Sequence, residues 1–380
     1  MKRQLVLGMC GALLSGATLL AQGPLLPPGA SPQATQDPGY NDLIGTCQTP
    51  APAAAARAGG AGGAAGARAG GAPGGAAATP PATPPAFPPP PAEYTVKAIP
   101  GVIADGQKWT KVWEVSGNNA DGILADKDGN LLIAQNHNSA VVKLDYKTNQ
   151  PTTVYKDTHT GGALSMNKKG ELFIVQRGLH SNVTKLAPKR EVLADKLPNG
   201  DPLDCLRGVI NDLTADSKGG AYFTMGGVFY ASPKGLVTRY GEGLNTNGVV
   251  LSADEKTLYV TNGAFGGPAG TIAAFDVQAD GSLTNQREFV RLPSGGGDGL
   301  TIDNDNRLYV TAGPNLHVVA PDGKLLGSIP APYGLISAAF AGKDKKTMYA
   351  VVSLSDPTRL QHAFVYAIPM IAQGYKGRAK

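Results

Sequence analysis

The chain has 380 residues, a formal net charge of +5, 51 glycines, 30 prolines and three cysteines. Its positive charge is spread over many turns, with no basic stripe interleaved with aromatics, which argues against a nucleic-acid partner. No Cys/His cluster has zinc spacing, and a bridge between Cys47 and Cys205 is allowed in an exported protein without being required.

Met1 to Ala21 opens on Lys2 and Arg3, runs through an apolar stretch broken by Gly and Ser, and ends on a small residue. This reads as a secretory signal peptide, too short and interrupted for a membrane span, so an exported, periplasmic or secreted protein is expected. Cys10 raises the alternative of a lipid anchor, but Met9 is a poor fit to the small residue that lipoprotein processing wants. Residues 22–93 read as a disordered linker, because 50–91 is nearly all Ala, Gly and Pro and has little apolar surface to bury.

Residues 94–372 hold short strand-like runs bounded by Gly, Asp, Asn and Pro turns. A small residue, an alternating apolar run, an acidic turn and an L-Y-V-like triplet recur six times, the triplet opening at Leu131, Leu172, Ala221, Leu258, Leu308 and Met348. Gaps of 41, 49, 37, 50 and 40 residues suit a four-stranded blade that buries its faces only against its neighbours. The sixth repeat lacks a strand, and KVWEV at Lys111 to Val115 is expected to supply it and close the ring. The expected fold is all-β: a six-bladed β-propeller whose N- and C-terminal strands share the last blade, followed by a basic tail over 373–380. Trp109 and Trp113 are expected to pack on the closing blade.

Inner strands line a central channel, and each is expected to start ten or eleven residues before its triplet, at Asp121, Gly162, Asn211, Asn247, Asp298 and Ser337. Three of these precede glycine, in Asp121-Gly122, Asn247-Gly248 and Asp298-Gly299, while Asn211 precedes Asp212. Taken singly they read as turn dipeptides, as Asp128-Gly129, Asp280-Gly281 and Asp322-Gly323 do. Taken in register, Asp121, Asn211, Asn247 and Asp298 place two carboxylates and two amide oxygens around one axis. That hard oxygen cage suits a divalent cation, Ca²⁺ first, with Zn²⁺ or Mn²⁺ as alternatives. Gly162 is read as opening the channel, His159 and Ser337 as substrate contacts, and Asp212 as orienting Asn211 from behind. His137 and His180 read as solvated turn residues. Asp126, Asp216, Asp254 and Asp303 read as turn hydrogen-bonders between first and second strands.

The stretches VINDLTADSKGGAYFT, NTNGVVLSADEKTLYV, GGDGLTIDNDNRLYV and SAAFAGKDKKTMYA resemble the regucalcin and gluconolactonase (SMP-30/gluconolactonase/LRE-like) family of six-bladed propellers. The resemblance implies that Asn211, Asn247 and Asp298 bind a divalent metal at the channel mouth and that Asp298 is the catalytic base. Three departures stand out: Asp121 replaces the family's usual glutamate, Ser337 stands where the family often has an asparagine, and Val209 where some members have an arginine, for which Arg207 is out of register.

The function these readings favour is metal-dependent opening of a lactone by a monomeric enzyme acting on a small molecule. The cation polarises the carbonyl, Asp298 accepts the water's proton, and Asp121 is the second catalytic carboxylate. The alternative is a non-catalytic secreted propeller that binds a ligand or protein around a structural metal, because fold does not settle function. A histidine-dependent lyase is a third reading, requiring His137, His159 or His180 to point into the channel.

Overall fold

The computed structural model describes residues 30–50, 87, 94–264 and 267–379. The expected signal peptide, Cys10 and the Ala/Gly/Pro stretch apart from residues 50 and 87 lie outside the described residues. Within them, six four-stranded antiparallel sheets form the blades. Their first strands are Ala120–Ala125, Leu164–Met166, Leu213–Ala215, Thr246–Leu251, Leu300–Ile302 and Ser337–Ala341. Each blade is apolar on both faces, so it buries them by stacking. Six apolar clusters result, one in each gap between neighbouring blades.

Closure follows the expectation. Thr110–Ser116 pairs antiparallel with Gln361–Pro369, with Glu114 opposite Phe364, and completes the last blade from the front of the domain. The ring is thereby closed by strands from both ends of the domain. Trp109 packs between the fifth and sixth blades and donates Nε1–H to the Pro330 carbonyl at 2.9 Å.

Two classes of Asp-Gly and Asn-Gly separate in three dimensions. Gly129, Gly281 and Gly323 have φ of +89°, +90° and +87°, the turn conformation expected of them. Gly122, Gly248 and Gly299 are not turn residues, and their missing side chains admit the next blade. A Cβ on Gly122 would lie 2.6 Å from Ala163 Cα, one on Gly299 2.9 Å from Ser337 Cα, and one on Gly248 would overlap the Asp298 carbonyl. Register slips between Ala120 and Ile123 and between Thr246 and Val249 mark bulges at Asp121-Gly122 and Asn247-Gly248, which turn those side chains out of the regular ladder. The turn aspartates behave as expected. Asp126 Oδ1 accepts from the Asp128 and Asn130 N–H groups at 2.9 and 2.8 Å, and Asp303 Oδ1 from those of Asp305 and Arg307 at 2.9 and 3.0 Å.

The N-terminal segment departs from the linker expected over 22–93. Residues 30–50 carry a 3₁₀ turn (Ala34–Gln36) and a short helix (Tyr40–Gly45) and lie against the end of the ring where the first strands begin. The Ala34 N–H donates to the Arg177 carbonyl at 2.7 Å, the Ser31 N–H to that of His137 at 3.3 Å, and Thr160 Oγ1 to that of Pro32 at 3.1 Å. Cys47 and Cys205 form a disulfide with a Cα–Cα separation of 5.7 Å. The physical reason is local composition: Tyr40, Leu43, Ile44 and Cys47 supply anchors that the Ala/Gly/Pro stretch lacks. Cys47→Ser is therefore expected to lower stability by about 2–4 kcal/mol. Thermal unfolding with and without reductant checks this, since only the parent protein should lose stability on reduction.

The basic tail also folds back. Gly374 bridges Asp303 and Ala379 bridges Met166, so the tail lies across the far ends of the first strands. Arg378 is buried there, with its guanidinium on the Leu251 carbonyl. Among the described residues no helix is long and apolar enough to cross a membrane.

Candidate functional site

Asp121, Asn211, Asn247 and Asp298 sit at the starts of the first strands of blades 1, 3, 4 and 5, where the register expects them. Buried second-strand threonines hold these starts in place. Thr224 Oγ1 donates to the Asn247 carbonyl at 2.5 Å, Thr261 Oγ1 accepts the Gly248 N–H at 2.7 Å, and Thr311 Oγ1 donates to the Ile336 carbonyl at 2.8 Å. Two of these three bonds cross from one blade to the next, so the ring of starts is stitched to its neighbours.

The four side chains converge, and a fifth residue joins them. Arg177, at the end of the second strand of blade 2 and only 4% exposed, reaches into the ring. Its Nη1–H donates to Asp121 Oδ2 at 2.5 Å, and its Nη2–H donates to Asn211 Oδ1 at 2.8 Å and to the Asn211 carbonyl at 2.6 Å. Its Nε–H donates to the Ile210 carbonyl at 2.9 Å. Asp298, 8% exposed, is hydrogen-bonded by Asn247. Burial first, and then the charge of Asp121, push the Asp298 carboxyl well above the usual carboxylate range, with Arg177 and Asn247 opposing.

Gly162 therefore has a different role from the one its sequence suggests. It does not leave the channel open: a Cβ there would overlap Arg177 Nε and Cζ, so the absent side chain makes room for the guanidinium. Blade 2 contributes a cation to the ring through its second strand. Sequence reasoning missed it by comparing only first-strand positions. The signal lay five residues past the triplet opening, where blade 1 has Asn136 and blade 2 has Arg177. These two also meet, because Asn136, with its amide turned as its neighbours require, accepts from Arg177 Nη1 at 3.0 Å.

The remaining candidates stand around this cluster. Asp212 is buried and its oxygens accept the Leu213 and Val249 N–H groups at 2.8 and 2.9 Å. It thereby fixes the spacing of the strands bearing Asn211 and Asn247. Ser337 is buried against Gly299, and among the described residues hydrogen-bonds none of the four. The His159 imidazole is exposed, while its carbonyl accepts the Arg177 and Gly178 N–H groups at 3.0 and 2.9 Å. His180 is exposed in a turn, as expected. His137 is half-buried beneath the N-terminal segment, and burial pulls its imidazole below the usual histidine range. Arg207 is exposed near Tyr40 and away from the ring.

Among the described residues no three His, Cys, Asp or Glu side chains group as metal ligands. The mixed donor set nevertheless fits one hard cation. Asn247 Oδ1 is buried without a partner, and Asp298 and Asp121 are like charges close enough to raise a pKa. A divalent cation satisfies both features at once. Asn211 Oδ1 is engaged by Arg177, which leaves Asp121, Asn247 and Asp298 as the fitting donors.

Fold and site together define a six-bladed β-propeller with a carboxylate-bearing polar ring at the starts of its inner strands. The chain belongs to the SMP-30/Gluconolactonase/LRE-like family, whose profile matches residues 108–353. It is 27% identical over 230 residues to lactonase drp35 of Staphylococcus haemolyticus, a match that covers 54% of this chain and 66% of that protein. A gluconolactonase from Xanthomonas campestris has a similar structure, with TM-score 0.60, 20% identity, and coverage of 77% of this chain and 99% of the other. Regucalcin from Agrobacterium tumefaciens, described as a calcium-binding protein, aligns with TM-score 0.50 and 15% identity over 68% of this chain and 93% of that one.

Proposed function

We propose that the protein is a lactonase that opens a cyclic ester, of the sugar-lactone kind, at the polar ring, with a divalent cation held by Asp121, Asn247 and Asp298. The observation that carries this reading is the buried Asp298, its carboxyl raised by burial beside the Asp121–Arg177 pair. Two carboxylates in contrasting surroundings provide a base and a charge-fixing partner from one residue type. Family membership and the lactonase relatives support the same chemistry.

A bound cation would supply Lewis acidity toward the ester carbonyl and lower the pKa of a water. Asp298 accepts the proton of the attacking water at its carboxylate oxygen. Arg177 holds Asp121 and Asn211 in fixed orientations. Asn247 holds Asp298 by its hydrogen bond. The N-terminal segment lies on the loops of the first two blades, with the Ala34 N–H on the Arg177 carbonyl. Export is inferred too, supported by the Cys47–Cys205 disulfide, which suits an oxidising compartment.

A panel of sugar and aromatic lactones, assayed with calcium and then with EDTA, tests the reading. Turnover that EDTA removes and calcium restores is the expected result. No turnover of any lactone with calcium, zinc or manganese supplied would sink it.

A further inference from the structure

We propose that Arg177 is a resident cation of the ring, standing in blade 2's place, and that its charge makes the ring a weak, three-donor site for a divalent cation. All five N–H groups of its guanidinium are engaged inside the protein. Nε–H goes to the Ile210 carbonyl, two Nη2–H groups to the carbonyl and Oδ1 of Asn211, and two Nη1–H groups to Asp121 and Asn136. None remains for a substrate, so Arg177 is a positioning residue. Its place is built for it: Gly162 supplies the space, and the His159 carbonyl fixes its backbone by accepting the Arg177 N–H at 3.0 Å.

The consequence for a metal follows from charge and from donor number. One Asp121 oxygen and Asn211 Oδ1 are already committed to the guanidinium. What is left is Asp298, the unpartnered Asn247 Oδ1 and the second oxygen of Asp121. The guanidinium also lowers the negative charge of the ring by one unit and repels an incoming cation at short range. Calcium affinity falls with the number and charge of the protein's ligands, toward the millimolar end for sparse sites. Arg177 keeps the two carboxylates of the ring together when no metal is bound.

The inference rests on the cation-site half of the proposed function and not on lactone chemistry, so it is read by binding alone. Calcium titrated calorimetrically into the purified protein should give a dissociation constant on the order of 10⁻⁴ to 10⁻³ M. Arg177→Gln should tighten binding by at least about tenfold, while Arg177→Lys, which keeps the charge, should stay close to the parent. Should Arg177→Gln fail to fold, the parent protein and Arg177→Lys still decide. Micromolar or tighter binding by the parent overturns the proposal, as does a Lys variant that binds much more tightly, or a folded Gln variant no tighter than the parent. Weak calcium binding without lactone turnover would count against the lactonase reading and leave this one standing. Tight binding with turnover would do the reverse.

Discussion

Asp298→Asn is expected to lower kcat/KM for lactone opening by about a hundredfold to ten-thousandfold, the usual worth of a positioned general base. Asparagine has nearly the same shape and can keep a contact with Asn247, but it cannot take a proton from water. The substitution also removes the charge that Asp121 opposes, so the thermal midpoint should hold or rise while turnover collapses. That pairing separates a chemical role from a structural one. Steady-state kinetics with a saturating cation, together with thermal unfolding, measure both. Undiminished turnover by a folded variant would move the base elsewhere in the ring.

Gly162→Ala is expected to destabilise the domain by displacing the cation of its polar centre. The added Cβ occupies the space of Arg177 Nε and Cζ, with backbone on one side and the Ile210 and Asn211 carbonyls on the other, so the guanidinium must leave. Its departure leaves Asp121 and several carbonyls without their partner. Arg177 is buried and Asp121 partly so, and breaking their pair in this way costs about 2–4 kcal/mol, read as a drop of several degrees in thermal midpoint. The Gly122, Gly248 and Gly299 positions are also tight, yet they face backbone of the next blade and would strain the stacking without discharging the ring. A Gly162→Ala variant with an unchanged midpoint would show that Arg177 has another seat.

The repeat length and the strand runs carried the architecture, including the loan of Thr110–Ser116 to the last blade, because stacking of two-faced apolar sheets leaves few other solutions. The register also located Asp121, Asn211, Asn247 and Asp298 at one end of the ring, since each lies ten or eleven residues before the triplet of its second strand. Less of the surroundings was legible. Ala/Gly/Pro composition concealed the docked stretch at residues 30–50, whose few anchors are effective only once Cys205 and the loops of the first two blades are close by. Asp-Gly and Asn-Gly look alike in one dimension, and only φ and the position of the neighbouring blade distinguish a turn glycine such as Gly129 from a packing glycine such as Gly122.

By itself, then, the amino-acid sequence determined a ring of six blades and the four polar residues at the starts of its inner strands, because periodicity is a local property of the chain. Tertiary structure alone decided what balances their charge. Arg177 comes from a second strand in a neighbouring blade, enters through space that Gly162 leaves empty, and joins Asp121 to Asn211 across 90 positions of sequence. The spacing of Arg177 from its triplet marks its place in the repeat, but which side chains it pairs with depends on what the closed ring brings to its axis.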